Sequence, residues 1–201
     1  MSQPIENKDK LIKTAIDLFA AKGFKGTSIR DIAQAMGMSI SNIYHYFGSK
    51  EGLLLAVLEE SSRKLLERLR QVTQMDLEPL ERFKLLLETH IRISEARMNE
   101  AKIFALDEEH LSPEGNEINR QIQREVLNIY LQELQVIKDL GLIRSKNLTV
   151  TAFNIFGTVN WLLRWYHPEG NLSLEEICQE LVDFILHGIS NNQTSGGFSK
   201  A

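Results

Sequence analysis

The chain has 201 residues, 43% of them apolar and 25% charged, which suits a globular protein with one or two sizeable cores and excludes a disordered polymer. There is no apolar run of about 18 residues to span a membrane, the opening MSQPIENKDK carries no apolar leader, and the single cysteine, Cys178, excludes an internal disulfide framework, so a reducing cytoplasm is the expected location. The formal charge of -4 is unevenly spread: Lys8, Lys10, Lys13, Lys22, Lys25, Arg30 and Lys50 outnumber Glu6, Asp9, Asp17 and Asp31 in residues 1–50, and acidic groups prevail beyond. A basic head on an acidic body confines attraction for phosphate to one end of the chain.

Apolar spacing predicts helices throughout, and the chain has only four prolines. Residues through Asn7 are expected to be loosely ordered. A first helix over 8–22 places Leu11, Ile12, Ala15, Ile16, Leu18 and Phe19 on one broad face, with Gly23 ending it and Phe24 folding back. Thr27 is placed to cap a second helix, in which Ile29, Ile32, Ala33 and Met36 fall at helical spacing. Gly37 suits the left-handed exit from that helix. A third, short helix then turns Ile40, Ile43 and Phe47 inward and Ser41, Asn42, His45 and Tyr46 outward, with Tyr44 towards one edge. A helix, a glycine turn and a helix with hydrogen-bonding and aromatic groups facing outward form the pattern of a DNA-reading helix-turn-helix.

Ser49 can cap a fourth helix that starts its apolar surface at Leu53, Leu54, Val57 and Leu58 and reaches the 71–74 region. Pro79 opens a fifth, through Phe83, Leu86, Leu87, His90 and Ile91. A shorter sixth helix is expected over 100–109, stopping before the turn-like Leu111-Ser112-Pro113-Glu114-Gly115. The seventh carries Ile118, Ile122, Val126, Ile129, Leu134 and Ile137 and closes at Gly141. The eighth, over 148–166, is rich in Phe and Trp, and Ser173 with Glu176 makes a capping box for the ninth, which runs to Ile189. The tail 191–201, rich in Ser, Gly and Asn, is expected to be disordered. The last two helices are apolar over more than one core stripe, which favours an interface with a second copy as a four-helix bundle over a hairpin buried within one chain.

The run Phe19-x3-Gly23-Phe24-x2-Thr27-Ser28-x-Arg30-Asp31-Ile32-Ala33, followed by Gly37-Met38-Ser39 and Ile43-Tyr44-x2-Phe47-x2-Lys50-x2-Leu53, closely resembles the TetR family of bacterial transcriptional regulators. The resemblance implies an all-α, nine-helix homodimer. A three-helix DNA-binding domain would occupy residues 1–50, and a ligand-binding and dimerisation domain 51–190, pairing through the eighth and ninth helices. It implies that Thr27, Ser28, Tyr44, Tyr46 and Lys50 grip phosphates, while Arg30, Ser41, Asn42 and His45 reach bases of a palindromic operator. The chemistry agrees: Asn suits adenine, Arg suits guanine, and a lysine beside free helix amides favours phosphate. The family commonly has an aromatic residue and then His before its Phe, and here the order is His45-Tyr46.

A small hydrophobic effector is implied as a further partner, and the polar and aromatic groups of the later helices are its candidate contacts: His90, Phe104, Asn128, Phe153, Asn154, Phe156, Gly157, Asn160, Trp161, Arg164 and Trp165. Asn154, Asn160 and Arg164 stand among bulky hydrophobes, where a buried polar group needs a partner. The segment Trp161-x3-Trp165-Tyr166-x-Pro168-x-Gly170-x-Leu172-Ser173-x-Glu175-Glu176-Ile177 is similar to the junction of the last two helices in family members that respond to fatty acyl-CoA. Release by hydrophobic drugs, as in efflux regulators, is the alternative. Five histidines without metal-ligand spacing, an apolar setting for Cys178, and the lack of a Gly-rich phosphate loop or nucleophile elbow point away from an enzyme, a cofactor or a metal. A helical enzyme and a purely structural helical dimer are the readings from other classes.

Overall fold

The computed structural model describes residues 3–96, 103, 110–167 and 169–191. Eight helices have defined bounds among them: α1 Gln3–Gly26, α2 Ile29–Met36, α3 Ile40–Phe47, α4 Lys50–Thr73, α5 Pro79–Ala96, α6 Pro113–Asp139, α7 Leu148–Trp165 and α8 Leu174–Ile189. The all-α expectation holds. The helix expected over 100–109 and the tail expected over 191–201 lie outside the described residues, apart from Ile103, which is helical, and Asn191. The chain divides into two compact units, one of residues 1–68 and 93–126, the other of 69–92 and 127–201.

In the first unit Leu11, Ala15 and Phe19 of α1, Ile32 and Ala33 of α2, Ile43 of α3 and Leu53, Leu54, Val57 and Leu58 of α4 form one core, which Ile103 and Leu111 join. Helix α1 begins at Gln3, earlier than its apolar face requires, because Pro4 is tolerated in a first turn where its missing N–H is not needed. The helix breaks at Gly23 (φ 72°, ψ 161°) and a short further turn runs to Gly26. The cap of α2 is Ser28, not Thr27. The Ser28 hydroxyl accepts the Asp31 amide at 3.1 Å, while the Asp31 carboxylate accepts the Ser28 amide at 2.7 Å. Thr27 instead donates its hydroxyl back to the carbonyls of Leu18 and Gly23, at 3.1 and 2.9 Å, and ties α1 down. Helix α6 also starts sooner than expected. Pro113 is its first residue, a position suited to proline, and Ser112 caps it by accepting the Gly115 amide at 3.2 Å.

The second unit is built on Phe83, Leu86, Leu87 and Ile91 of α5, Tyr130, Leu134 and Ile137 of α6, Ile155, Val159 and Leu162 of α7, and Ile177, Cys178, Val182 and Ile185 of α8. Gly141 (φ 70°) closes α6 as expected, with the Leu142 amide returning to the Ile137 carbonyl at 3.0 Å. The capping box of α8 is present: Ser173 and Glu176 exchange bonds of 2.8 and 3.2 Å. A two-residue antiparallel bridge joins Ile143 to Ser190, with Arg144 N–H to Ile189 O and Asn191 N–H to Leu142 O, both at 2.9 Å. Arg82 of α5 and Glu133 of α6 form a nearly buried ion pair at 2.8 Å. Helices α7 and α8 are not enclosed on all sides within the chain. Val150, Phe153, Trp161 and Trp165 of α7 and Phe184 of α8 are exposed, Phe184 at 70%.

Candidate nucleic-acid interface and effector site

The outward face of α3 follows from which residues its core face consumes. Ile43 is fully buried, which turns Ser41, Asn42, Tyr44 and His45 to solvent; Ile40, expected inward, is exposed in the first turn of α3, and Tyr46 is half-buried with its ring 5.9 Å from that of His45. The turn into α3 is fixed at both ends. Gly37 sits in the left-handed region (φ 62°), and Ser39 caps α3 by accepting the Asn42 amide at 3.3 Å. On α2, Arg30 lies exposed on the side opposite buried Ile29, Ile32 and Ala33. The Ser28 hydroxyl and amide both donate to the Asp31 carboxylate, which holds its pKa below the ordinary carboxylate value. Ser28 is exposed, with its hydroxyl committed to that box, whereas Thr27 is buried and offers solvent no hydroxyl. Ser28, Arg30, Ser41, Asn42, Tyr44 and His45 therefore form an exposed surface on two consecutive helices, without Thr27.

Lys50 opens α4, where Ser49 accepts the Gly52 amide at 2.9 Å, and its ammonium lies 4.1 Å from the centroid of the Phe24 ring. Gly52 is indispensable to this junction. A Cβ there would stand 2.1 Å from the Phe47 carbonyl, so only glycine lets the first turn of α4 close onto the end of α3. Sequence spacing gave no sign of that approach.

The effector candidates are not gathered into one place. His90 is buried in the second unit, and its Nδ1 lies 2.8 Å from the Tyr130 hydroxyl, with Phe156 edge-on to both rings at 6.1 and 4.9 Å between centroids. Burial lowers the His90 pKa to about 4 and raises that of Tyr130, so the pair is neutral. Asn128, Phe153, Asn154, Gly157, Asn160, Trp161, Arg164 and Trp165 are exposed on α6 and α7. The expected burial of Asn154, Asn160 and Arg164 is thus corrected: they share the open side of α7 with Phe153, Trp161 and Trp165, while Ile155, Val159 and Leu162 take the buried side. Arg164 lies over the Trp161 ring at 5.7 Å. Phe104 is outside the described residues. A groove of about 640 Å³ runs between α7 and the end of α8, lined by Arg144, Lys146, Asn154, Ile155, Phe184 and Ile189 among others. Two groups that the spacing did not single out, Tyr130 and Glu133, are the buried polar partners on α6.

Among the described residues no cluster of three His, Cys, Asp or Glu side chains could hold a metal, and no helix is long and apolar enough to cross a membrane. Burial raises the Cys178 thiol pKa, which opposes reactivity.

Residues 11–57 match the model for bacterial regulatory proteins of the tetR family, and residues 76–189 match that for the tetracyclin repressor-like C-terminal domain. The HTH-type transcriptional repressor KstR2 of Mycolicibacterium smegmatis is 29% identical over 195 residues, covering 96% of this chain and 95% of its own. The crystal structure of the TetR-family regulator PfmR from Thermus thermophilus superposes with a TM-score of 0.81 at 26% identity, covering 88% of this chain and 97% of the other. That of AibR in complex with isovaleryl coenzyme A and operator DNA gives a TM-score of 0.81 at 26% identity over 89% and 97% of the two chains. An exposed reading face on a capped helix-turn-helix, joined to a matching C-terminal domain, identifies this chain as a member of the TetR family of transcriptional regulators.

Proposed function

We propose that the protein is a ligand-released repressor that binds a palindromic operator as a homodimer, and that its effector is an acyl-coenzyme A thioester. The observation that carries the DNA half is the outward α3 face, where Ser41, Asn42, Tyr44 and His45 are all exposed beside Arg30. Arg30, Ser41, Asn42 and His45 reach base edges; Tyr44, Tyr46 and Lys50 hold phosphates, while Ser28, whose two donors serve Asp31, caps α2 and Thr27 keeps its entry in place. The exposed Val150, Phe153, Trp161 and Trp165 of α7 with Phe184 of α8 support pairing of two copies through these helices, since apolar surface of that extent on a monomer calls for a cover. Two reading heads then meet two half-sites.

The effector class is supported by the likeness to AibR, which was crystallised with isovaleryl coenzyme A and operator DNA, and by the Trp161–Ile177 segment. Release follows from linkage: the thioester must bind more tightly to a form of the dimer that does not fit the operator, because equal affinity for both forms shifts nothing. The test is a gel shift on the DNA upstream of the gene, titrated with acyl-CoAs from short to long chains, with free CoA and free fatty acid as controls. Loss of the shifted band with a subset of chain lengths supports the reading. Indifference to all of them, with release by hydrophobic drugs instead, assigns the protein to efflux control.

A further inference from the structure

The unit that carries the reading head also contains a contact with the start of α6. Lys50 Nζ lies 4.1 Å from the Phe24 ring centroid, and the His110 imidazole stacks on the same ring, 5.4 Å between centroids and 27° between planes. One residue beyond Lys50, Glu51 Oε1 accepts the Ser112 amide at 2.5 Å, immediately before α6 begins. Gly115 leaves room for that carboxylate: a Cβ at 115 would stand 3.1 Å from Glu51 Oε1. Leu111, between these contacts, is buried in the core of the reading head itself.

The two contacts hold one turn beside Lys50. The Glu51 carboxylate pins the Ser112 amide at the positive end of a 27-residue helix. The Phe24 ring, fixed by His110 on one side of the junction, gives the ammonium a surface to rest on. We propose that the His110–Gly115 turn is a positioning element for the phosphate grip at Lys50. With the turn docked, Glu51 is occupied and Phe24 is stacked, so Lys50 is presented to DNA. With the turn withdrawn, both restraints are lost and operator affinity falls. This rests on the reading of Lys50 as a phosphate contact.

The test uses the full-length protein and fluorescence anisotropy on an operator fragment and on an unrelated duplex, across a salt series, with thermal melts to establish folding. H110A and E51A should each weaken binding roughly three- to tenfold on both duplexes, because a phosphate grip is blind to sequence. H110F, which keeps a ring, and E51Q, which keeps an acceptor, should bind like wild type. On a K50A background neither H110A nor E51A should weaken binding further. If K50A weakens binding while H110A and E51A are silent, or if their losses add to that of K50A, the positioning element is overturned and the phosphate contact stands. A silent K50A overturns both.

Discussion

Lys50 shows how a single side chain can be legible in sequence while its setting is not. Its place before Leu53, at the start of a capped helix, already suggested a phosphate contact, and the structure puts its ammonium over Phe24. K50A should weaken binding about equally on all DNA sequences and lower the slope of affinity against salt by roughly one contact, read by anisotropy at several salt concentrations. The outward Ser41, Asn42 and His45 were legible for the same reason, since three- and four-residue spacing fixes what α3 must bury. His90 was singled out as a polar group in an apolar run, but its partner Tyr130 lies 40 residues away, beyond any local pattern. That pair yields a pH dependence. The folded pKa of His90 is lowered from 6.5 to about 4, so above 6.5 both states are neutral and stability is intact. As pH falls through 6.5 the unfolded chain takes a proton that the folded one refuses, and stability drops until about 4, by ~3 kcal/mol in total. Urea denaturation from pH 7.5 to 4 should show this loss in wild type and a smaller one in H90Q, which keeps a hydrogen-bonding group but does not titrate.

At the scale of elements, local signals placed most helices and their caps, because a cap is written within four residues. Ser49, Gly37, Gly141 and the Ser173–Glu176 box were all readable in this way. The failures came where two signals overlapped. Thr27 and Ser28 are both good caps, and the choice was settled by Asp31, which can return a bond to Ser28 alone. Pro113 read as part of a turn but opens α6. The Arg82–Glu133 pair was invisible because it joins two helices through tertiary packing; removing the cation strands a nearly buried carboxylate. R82A should cost roughly 2–4 kcal/mol in urea denaturation at neutral pH. Gly157 makes the opposite case. It lies mid-helix in α7, exposed, with nothing within 4 Å of where a Cβ would be, so nothing within the described chain requires a glycine. G157A should raise the stability of the dissociated chain by about 0.5–1 kcal/mol through helix propensity. If α7 packs closely on its counterpart, the same substitution should weaken the dimer, measured by sedimentation equilibrium.

For the whole molecule, the helix-turn-helix signature told the class, and the unusual apolarity of the last two helices raised the expectation of an interface with a second copy. What sequence could not settle was which side of each helix is left open, because a helix apolar nearly all round has no distinguishable face until its neighbours are placed. The structure leaves Phe184 70% exposed. F184D should therefore barely change the melting of the isolated chain; on the proposed pairing through α7 and α8 it should shift the protein to monomer in sedimentation velocity and lower operator affinity, since each monomer then meets a single half-site. The bridge between Ile143 and Ser190 carries a different consequence, one of timing. The amides of Arg144 and Asn191 are far apart in the chain, but each is bonded across the same bridge, to Ile189 and Leu142. One opening of the bridge exposes both to solvent. Under conditions where exchange follows the opening equilibrium, the two amides should show matched protection against deuterium.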